Sequence, residues 1–582
     1  SVERRWDADT QERASWCLEQ RRSALASLIE RLSHAEGLDV QYAVESAAAL
    51  ESPDACTDLR VLDSMGAPPD PELRPKVLAL QDRLTLATRV DESESLGEGE
   101  DSPLAIARAI ERDARALPWL PLAIRAQQVE ARLLRITGAT DEAEARAAAA
   151  YGEAARAGLW AEASSAAILV GSILAGQPLR STEARLWLEN AEVARVHTSD
   201  PHGLLRSEIE AALASVELTA HAFEAALAHA EQARAGLEQV FGPEHPRVGD
   251  ALHELATIHG AKADYAAALE LELEALALFR RSFGPDHPRV GRSLSSVAEI
   301  RVELGEREEA TLLFEQAMAI FELDELSRPD LIRTLNLLGT LRFDQGRNEE
   351  AKTYLERATT LVETTPNISR WLEADTINNL GLAYRGLGDY AKARELYERA
   401  LEIFVELIGT DSKEVAAAHN NIAILLYFEG DIPGCAKRLE LSIEIEERIL
   451  GPQHPSLVGK IVNLGRTRAA LGQYEQALED VRRALAINEL ALGRESTENG
   501  PILWRLGIIS VEAGEVAAGL AAFERGLALL EQDKVGPRSR SPPPIVWPGA
   551  VGRADQGGPR PGPRTRAGRA RPRGLPRSRR FE

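Results

Sequence analysis

The sequence predicts an all-α fold, a solenoid of stacked helix–turn–helix units, and three aligned rows of small residues are the reason. The first row is Ala214, Ala256, Ala298, Gly339, Gly381, Ala423, Gly465 and Gly507, in steps of 42 residues with a single step of 41. Twelve residues on stand Ala226, Ala268, Ala310, Ala351, Ala393, Cys435, Ala477 and Gly519. Seven beyond those come Ala233, Ala275, Ala317, Ala358, Ala400, Ser442, Ala484 and Gly526. Small side chains at fixed spacing in paired amphipathic segments let two helix backbones approach closely. One such hairpin cannot bury its apolar face, so copies must stack. At 582 residues the chain is too long for one compact core. A solenoid escapes that limit because each unit contacts only its neighbours.

The clearest unit carries Leu380-Gly381, Tyr384, Gly388, Tyr390, Ala393, Tyr397 and Ala400. This spacing resembles the tetratricopeptide repeat, and the resemblance implies a right-handed superhelix that docks protein or peptide segments. Here the period exceeds the usual ~34 residues. The surplus falls in a longer second helix and in recurring linkers, Phe241–Val248 (FGPEHPRV), Phe283–Val290 (FGPDHPRV) and Leu450–Leu457 (LGPQHPSL). The linker Gly is expected to close the helix in the left-handed conformation, and the Pro after it to block continuation. The second Pro (Pro246, Pro288, Pro455) suits the first turn of the next helix, where a missing N–H costs nothing. With the paired Asn378-Asn379 and Asn420-Asn421, the array over about residues 200–532 resembles those of kinesin light chains.

Eight clear repeats occupy 207–533, and degenerate ones 119–206, at about Trp119–Gly158 and Leu159–His197. Residues 59–118 are transitional. Four prolines precede a helix at Lys76–Val90, the acidic linker Asp91–Asp101 follows, and then a helix at Ser102–Leu117, together a candidate degenerate repeat. Residues 1–58 form a helical hairpin, Glu12–Ser33 and Asp39–Leu50, that brings Cys17 near Cys56. A disulfide and two buried thiols are both compatible with that geometry. Cys435 occupies a position held elsewhere by Ala or Gly and reads as a packing residue.

The N-terminal segment, CLEQRRSALASLIERL followed by an Ala-rich helix and PDACTDL, resembles the region behind the catalytic domain of large bacterial serine/threonine protein kinases. That resemblance implies a sensory or docking array with a kinase domain upstream in cis. The domain itself is not in this sequence: no HRD catalytic loop, DFG or Gly-rich phosphate loop occurs, so no catalytic residue carries over. The sequence starts at Ser1 without an initiator Met, and is expected to be a piece of a longer product.

Composition narrows the partners. The net charge is −23, but residues 534–582 hold 13 Lys/Arg against 2 Asp/Glu, which leaves −34 on residues 1–533. The array is therefore no nucleic-acid surface. The tail is rich in Arg, Pro and Gly and cannot build a core. It reads as a disordered basic arm or as the translated out-of-frame end of a G+C-rich gene. The second is preferred, because the last repeat ends at Asp533 without a capping helix. No stretch is long and apolar enough to span a bilayer: Ala163–Leu179 falls short of about 20 apolar residues and fits the first helix of an early repeat. A cytoplasmic location is expected, or an extracytoplasmic one if a membrane span lies upstream.

Catalytic and cofactor chemistry find no purchase. His253-Glu254 begins a zinc-protease pattern that Thr257 breaks, and the linker histidines recur because the linker recurs. No cofactor, metal or enzymatic activity is predicted. What remains is the concave face, lined by first helices. Three residues before the small position stand Asn336, Asn378 and Asn420; four after it stand Phe343, Arg385 and Tyr427. The amides offer donor and acceptor to an extended peptide backbone, the aromatics apolar pockets, and Arg385 a partner for an acidic group. Asn379, Asn421 and Asn463 are expected instead to tie neighbouring helices together.

Overall fold

The computed structural model describes residues 6–34, 47, 50, 53–87, 102–136, 138–177, 180–198, 200, 203–323, 327–366 and 368–532. Every regular element among them is helical. The clear repeats are hairpins: Leu204–Thr219 with Phe223–Phe241, Pro246–Ala261 with Tyr265–Phe283, Pro288–Glu303 with Arg307–Phe321, and Arg328–Asp344 with Asn348–Thr364. They continue with Arg370–Leu387 and Tyr390–Ile408, Lys413–Glu429 and Ile432–Leu450, Leu457–Ala470 and Tyr474–Leu492, Asn499–Glu512 and Val516–Gln532. Two earlier hairpins, Leu120–Ile136 with Thr140–Arg156 and Trp160–Ala175 with Ser181–Val196, extend the stack toward the N-terminus. Among the described residues no helix is long and apolar enough to cross a membrane.

The rows of small residues mark where the two helices of a hairpin cross. A Cβ at Gly381 would lie 2.6 Å from Cε1 of Tyr397, and one at Gly465 2.7 Å from Cγ2 of Val481. Each first helix thus receives a large side chain of its partner where it has none of its own. Ala393 and Ala400 are fully buried on the other side of the same crossing.

The linkers depart from expectation in one respect. Gly284 has φ 89° and ψ 166°, and Gly242 and Gly451 adopt nearly the same angles. This is not the left-handed helical region but the extended region at positive φ that only glycine occupies at low cost. The left-handed helical conformation appears instead inside the repeats, at Gly388 and Gly430, where the hairpin turns. The following histidine caps the next helix: Nδ1 of His287 accepts from the Arg289 N–H at 3.2 Å, while its ring stacks on Phe283. His245, Arg247 and Phe241 repeat the arrangement. Pro246 and Pro288 open their helices as expected, whereas Pro455 precedes its helix, which begins at Leu457.

Curvature follows from unequal contacts. First helices of successive repeats approach one another, notably Trp160–Ala175 against Leu204–Thr219 and Arg328–Asp344 against Arg370–Leu387, and successive second helices lie further apart. A stack tighter on one side bends toward it, which puts the first helices on the inner face. The array curls far enough for the His221 ring, in the turn of the first clear repeat, to meet the His454 ring at 5.3 Å.

At the N-terminal end, helix Ala8–His34 is bonded through Cys17 to Cys56, which resolves the choice left open by the sequence in favour of the disulfide. The bond sits among Ala14, Leu62, Trp6 and Met65. Trp16 meets Trp119 edge to face at 5.8 Å, and the Trp119 indole N–H donates to the Ala67 carbonyl. Helices Arg74–Ala87 and Pro103–Arg115 pack between this module and the first hairpin through Val77, Leu80, Ile110 and Leu122. Apart from Ala47 and Leu50, the expected helix Asp39–Leu50 lies outside the described residues, as do the acidic linker 91–101 and the tail 534–582.

Candidate functional site

The inner face is assembled from side chains two to four positions either side of the buried small residue on each first helix, where i, i+3 and i+4 positions share a surface. Asn336 lies deeper than its register suggests: it is 3% exposed, and its Nδ2 donates to Thr376 Oγ1 at 2.9 Å and to Asp375 Oδ2 at 3.3 Å. Its Oδ1 is buried without a hydrogen bond. Asn378 is half-buried, and its Oδ1 accepts from Asn421 Nδ2 of the next repeat at 3.1 Å. Asn420 is also half-buried, with an Oδ1 that is sheltered and bonded to nothing among the described residues. Asn421 therefore ties two repeats, while Asn379 bonds within its own helix to Asp375 at 3.2 Å.

The aromatics are not open pockets. The Arg385 guanidinium lies over the Phe343 ring at 5.2 Å and the Arg466 guanidinium over Tyr427 at 4.6 Å, each pair bridging two repeats. Arg385 is 8% exposed, and its Nη1 is buried without a hydrogen bond. Phe428, next to Tyr427, stacks on Tyr390 at 5.5 Å. A cavity of about 240 Å³ is lined by Thr359, Thr365, Thr376 and Arg399.

Electrostatically the face has two halves. Toward the N-terminus, crowding strips solvent from Glu254 and Glu299, and this burial raises both carboxyls above their ordinary range. Burial pushes Asp375 up to about 6 even though Asn336 and Asn379 donate to it. His253 is raised, chiefly by its hydrogen bond to Glu272 at 2.8 Å. Toward the C-terminus the face is cationic and aromatic, with Arg466 and Tyr427 joined by Arg505 and the exposed Trp504. Sequence reasoning missed Asp375, Thr376, Arg466 and Arg505. The signal was available, since Arg505 falls in the same register as Asn379 and Asn421, and Arg466 directly follows Gly465. Among the described residues no group of three or more His, Cys, Asp or Glu is placed to hold a metal ion.

The tetratricopeptide repeat family matches residues 206–281, 264–323, 332–362, 372–433 and 461–498. These segments are tetratricopeptide repeats. A clustered mitochondria protein homolog of Danio rerio is 28% identical over 145 residues, which is 25% of this chain and 10% of that protein. The chain thus spans about a tenth of the length of the curated relatives it matches. Among solved structures, BtubC (BKLC) from P. vanneervenii is 20% identical and covers 42% of this chain and 96% of its own, with a TM-score of 0.35. Kinesin light chain TPR-like repeats from Podosopora anserina are 21% identical and cover 35% of this chain and 97% of their own, with a TM-score of 0.32.

Proposed function

We propose that the chain is a non-catalytic docking module whose inner face, from Leu331 to Tyr427, binds an extended segment of a partner protein. The observation that carries this reading is the row of amides on touching first helices. Asn378 and Asn420 are half-buried, and the Asn420 Oδ1 is sheltered yet bonded to nothing in the described chain. A strand lying across them supplies backbone N–H groups at that acceptor, and the amide nitrogens donate to its carbonyls. Asn336 holds Asp375 and Thr376 in place rather than reaching the segment directly. The Phe343–Arg385 and Tyr427–Arg466 stacks present flat apolar faces with a charge at the edge.

Each neutral hydrogen bond contributes roughly 0.5–1.5 kcal/mol net, so one Asn→Ala change weakens binding modestly. The double change Asn378→Ala/Asn420→Ala is expected to weaken it by about tenfold, with little change in melting temperature. Thermal melting beside titration against a partner recovered by the intact chain measures both quantities. Large destabilisation with unchanged affinity would show these asparagines to be structural.

The Cys17–Cys56 bond favours a second, more specific form of the same reading, in which the array is the extracytoplasmic sensory part of a serine/threonine protein kinase. The coding region upstream of Ser1 tests it: an open frame with a kinase catalytic loop and a membrane span supports it, and a nearby initiator codon with neither removes it.

A further inference from the structure

The hairpin turn of each clear repeat passes through a residue at positive φ. From the third repeat onward that residue is glycine: Gly305, Gly346, Gly388, Gly430, Gly472 and Gly514. Ala263 takes the place in the second repeat and His221, with φ 57°, in the first. Histidine tolerates the left-handed region better than most side chains, but with a steric cost that glycine avoids. The His221 ring reaches across the superhelix and meets the His454 ring at 5.3 Å, with the planes 49° apart.

His454, in the linker Leu450–Leu457 between the sixth and seventh clear repeats, also departs from its pattern. In the two sister linkers the histidine stacks on a phenylalanine four residues earlier, Phe241 with His245 at 4.5 Å and Phe283 with His287 at 4.6 Å. Here that phenylalanine is replaced by Leu450, and the ring packs on His221 instead. Two exceptions to the repeat pattern, far apart in sequence, therefore meet at one contact. Their surroundings favour neutral rings. Nδ1 of His454 accepts from the Ser456 N–H at 3.3 Å, which an imidazolium cannot do. Burial, His221 and Lys460 hold the His454 pKa below its ordinary value, against the opposing influence of Glu446. The Glu446 carboxylate is engaged by Lys460 Nζ at 2.6 Å and by the Ser456 hydroxyl at 3.3 Å. On the other side Phe223 packs edge-on against the His221 ring, and the nearby Glu224 pairs with Lys262.

We propose that His221 and His454 form a pH-sensitive latch, which holds the array closed on itself while both rings are neutral and releases it when both are protonated. Two unit charges at 5.3 Å shift an equilibrium by roughly fourfold even at the dielectric constant of bulk water, and by more where solvent is displaced. The sign follows from the depressed pKa of His454: the contact is at full strength above about pH 6.5 and weakens as pH falls below it. Between the two histidines lie the second to sixth clear repeats, so release lets their inner face widen. The latch stands whatever docks there, and its test uses no partner.

Nitroxide labels at Gln232→Cys and Gln476→Cys, exposed on helices Phe223–Phe241 and Tyr474–Leu492, report the closure in the full chain with EDTA present. Double electron–electron resonance should give a short separation at pH 7.5 and a second, longer one at pH 5. The closed-to-open ratio should fall by about fourfold or more. His221→Gly restores the residue of the other turns and relieves the positive φ, so the turn still forms. It and His454→Gln should each abolish the response to pH. His259→Gln, which removes a histidine outside the pair that is bonded to Asp264, should keep it. A separation that does not change with pH, or a change of the same size in His221→Gly and His454→Gln, would overturn the latch.

Discussion

Replacing Cys17 and Cys56 by serine lowers the stability of the N-terminal module by about 4 kcal/mol, the loop-closure value for a crosslink between residues 39 apart in sequence. The bond is the main tie between helix Ala8–His34 and the short helical turn Pro53–Thr57, because the apolar cluster around it is small. Repeats further along contact only their neighbours, so the loss stays local. Native-state hydrogen exchange reads it directly: amides of Ala14–Leu28 should exchange faster by about three orders of magnitude if they open with the module. Amides of Ala374–Tyr384 should be unaffected. Unchanged exchange at the N-terminal end would mean that Trp16, packed on Trp119, holds the module without the bond.

The second large effect is an acid-dependent loss centred on His419. Its ring is buried, and the guanidinium of Arg438 donates to its Nδ1 at 2.9 Å. The imidazole must stay neutral to accept that bond. Burial and the neighbouring cation hold its pKa down to about 4. A histidine depressed on folding contributes its full stability above the unfolded value of ~6.5 and loses it as pH falls from there toward 4. Between pH 7 and pH 4.5 the loss is about 2–3 kcal/mol. Asp375 acts with the opposite sign: raised to about 6, it penalises the fold at neutral pH, and the penalty eases as it protonates. The total acid curve therefore mixes opposing contributions, and the informative quantity is a difference. His419→Gln keeps an acceptor for Arg438 but cannot protonate, so its stability relative to the parent should rise by that amount as pH falls. Parallel curves for the two chains would show that His419 does not titrate as its surroundings require.

Much of the fold was legible because steric constraint repeats. A helix crossing that admits no Cβ at Gly381 writes a small residue at the same place in every copy, and eight copies make the row unmistakable. The linker is similar: Pro246 and Pro288 open helices for a reason local to proline. The role of the linker histidines was less visible, since capping by His287 and its stacking on Phe283 depend on a loop shape that the sequence does not state. The loop's glycine geometry was misjudged on the same ground. Helix closure was assumed to use the left-handed turn, but the chain must leave extended toward the next proline, and Gly284 takes the angles that do so.

The inner face was only half legible. Register places Asn336, Asn378 and Asn420 on one line, yet depth along that line varies with what the next repeat presents. Thr376 pulls Asn336 into the core, whereas Asn420 meets no such partner. Arg466 and Arg505 escaped notice because charged residues on helix surfaces are ordinarily solvated, and the stacking of Arg466 on Tyr427 is a property of the packed array alone.

The central claim is that a partner lies along the inner face. A photoreactive benzophenone side chain placed at Tyr427, on that face, and separately at Glu398, exposed on the second helix Tyr390–Ile408, tests it most directly. Irradiation with the recovered partner should give a crosslink from position 427 and none from 398, and the crosslink should disappear in Asn378→Ala/Asn420→Ala. A crosslink from 398 with none from 427 would put the partner on the outer surface and contradict the account.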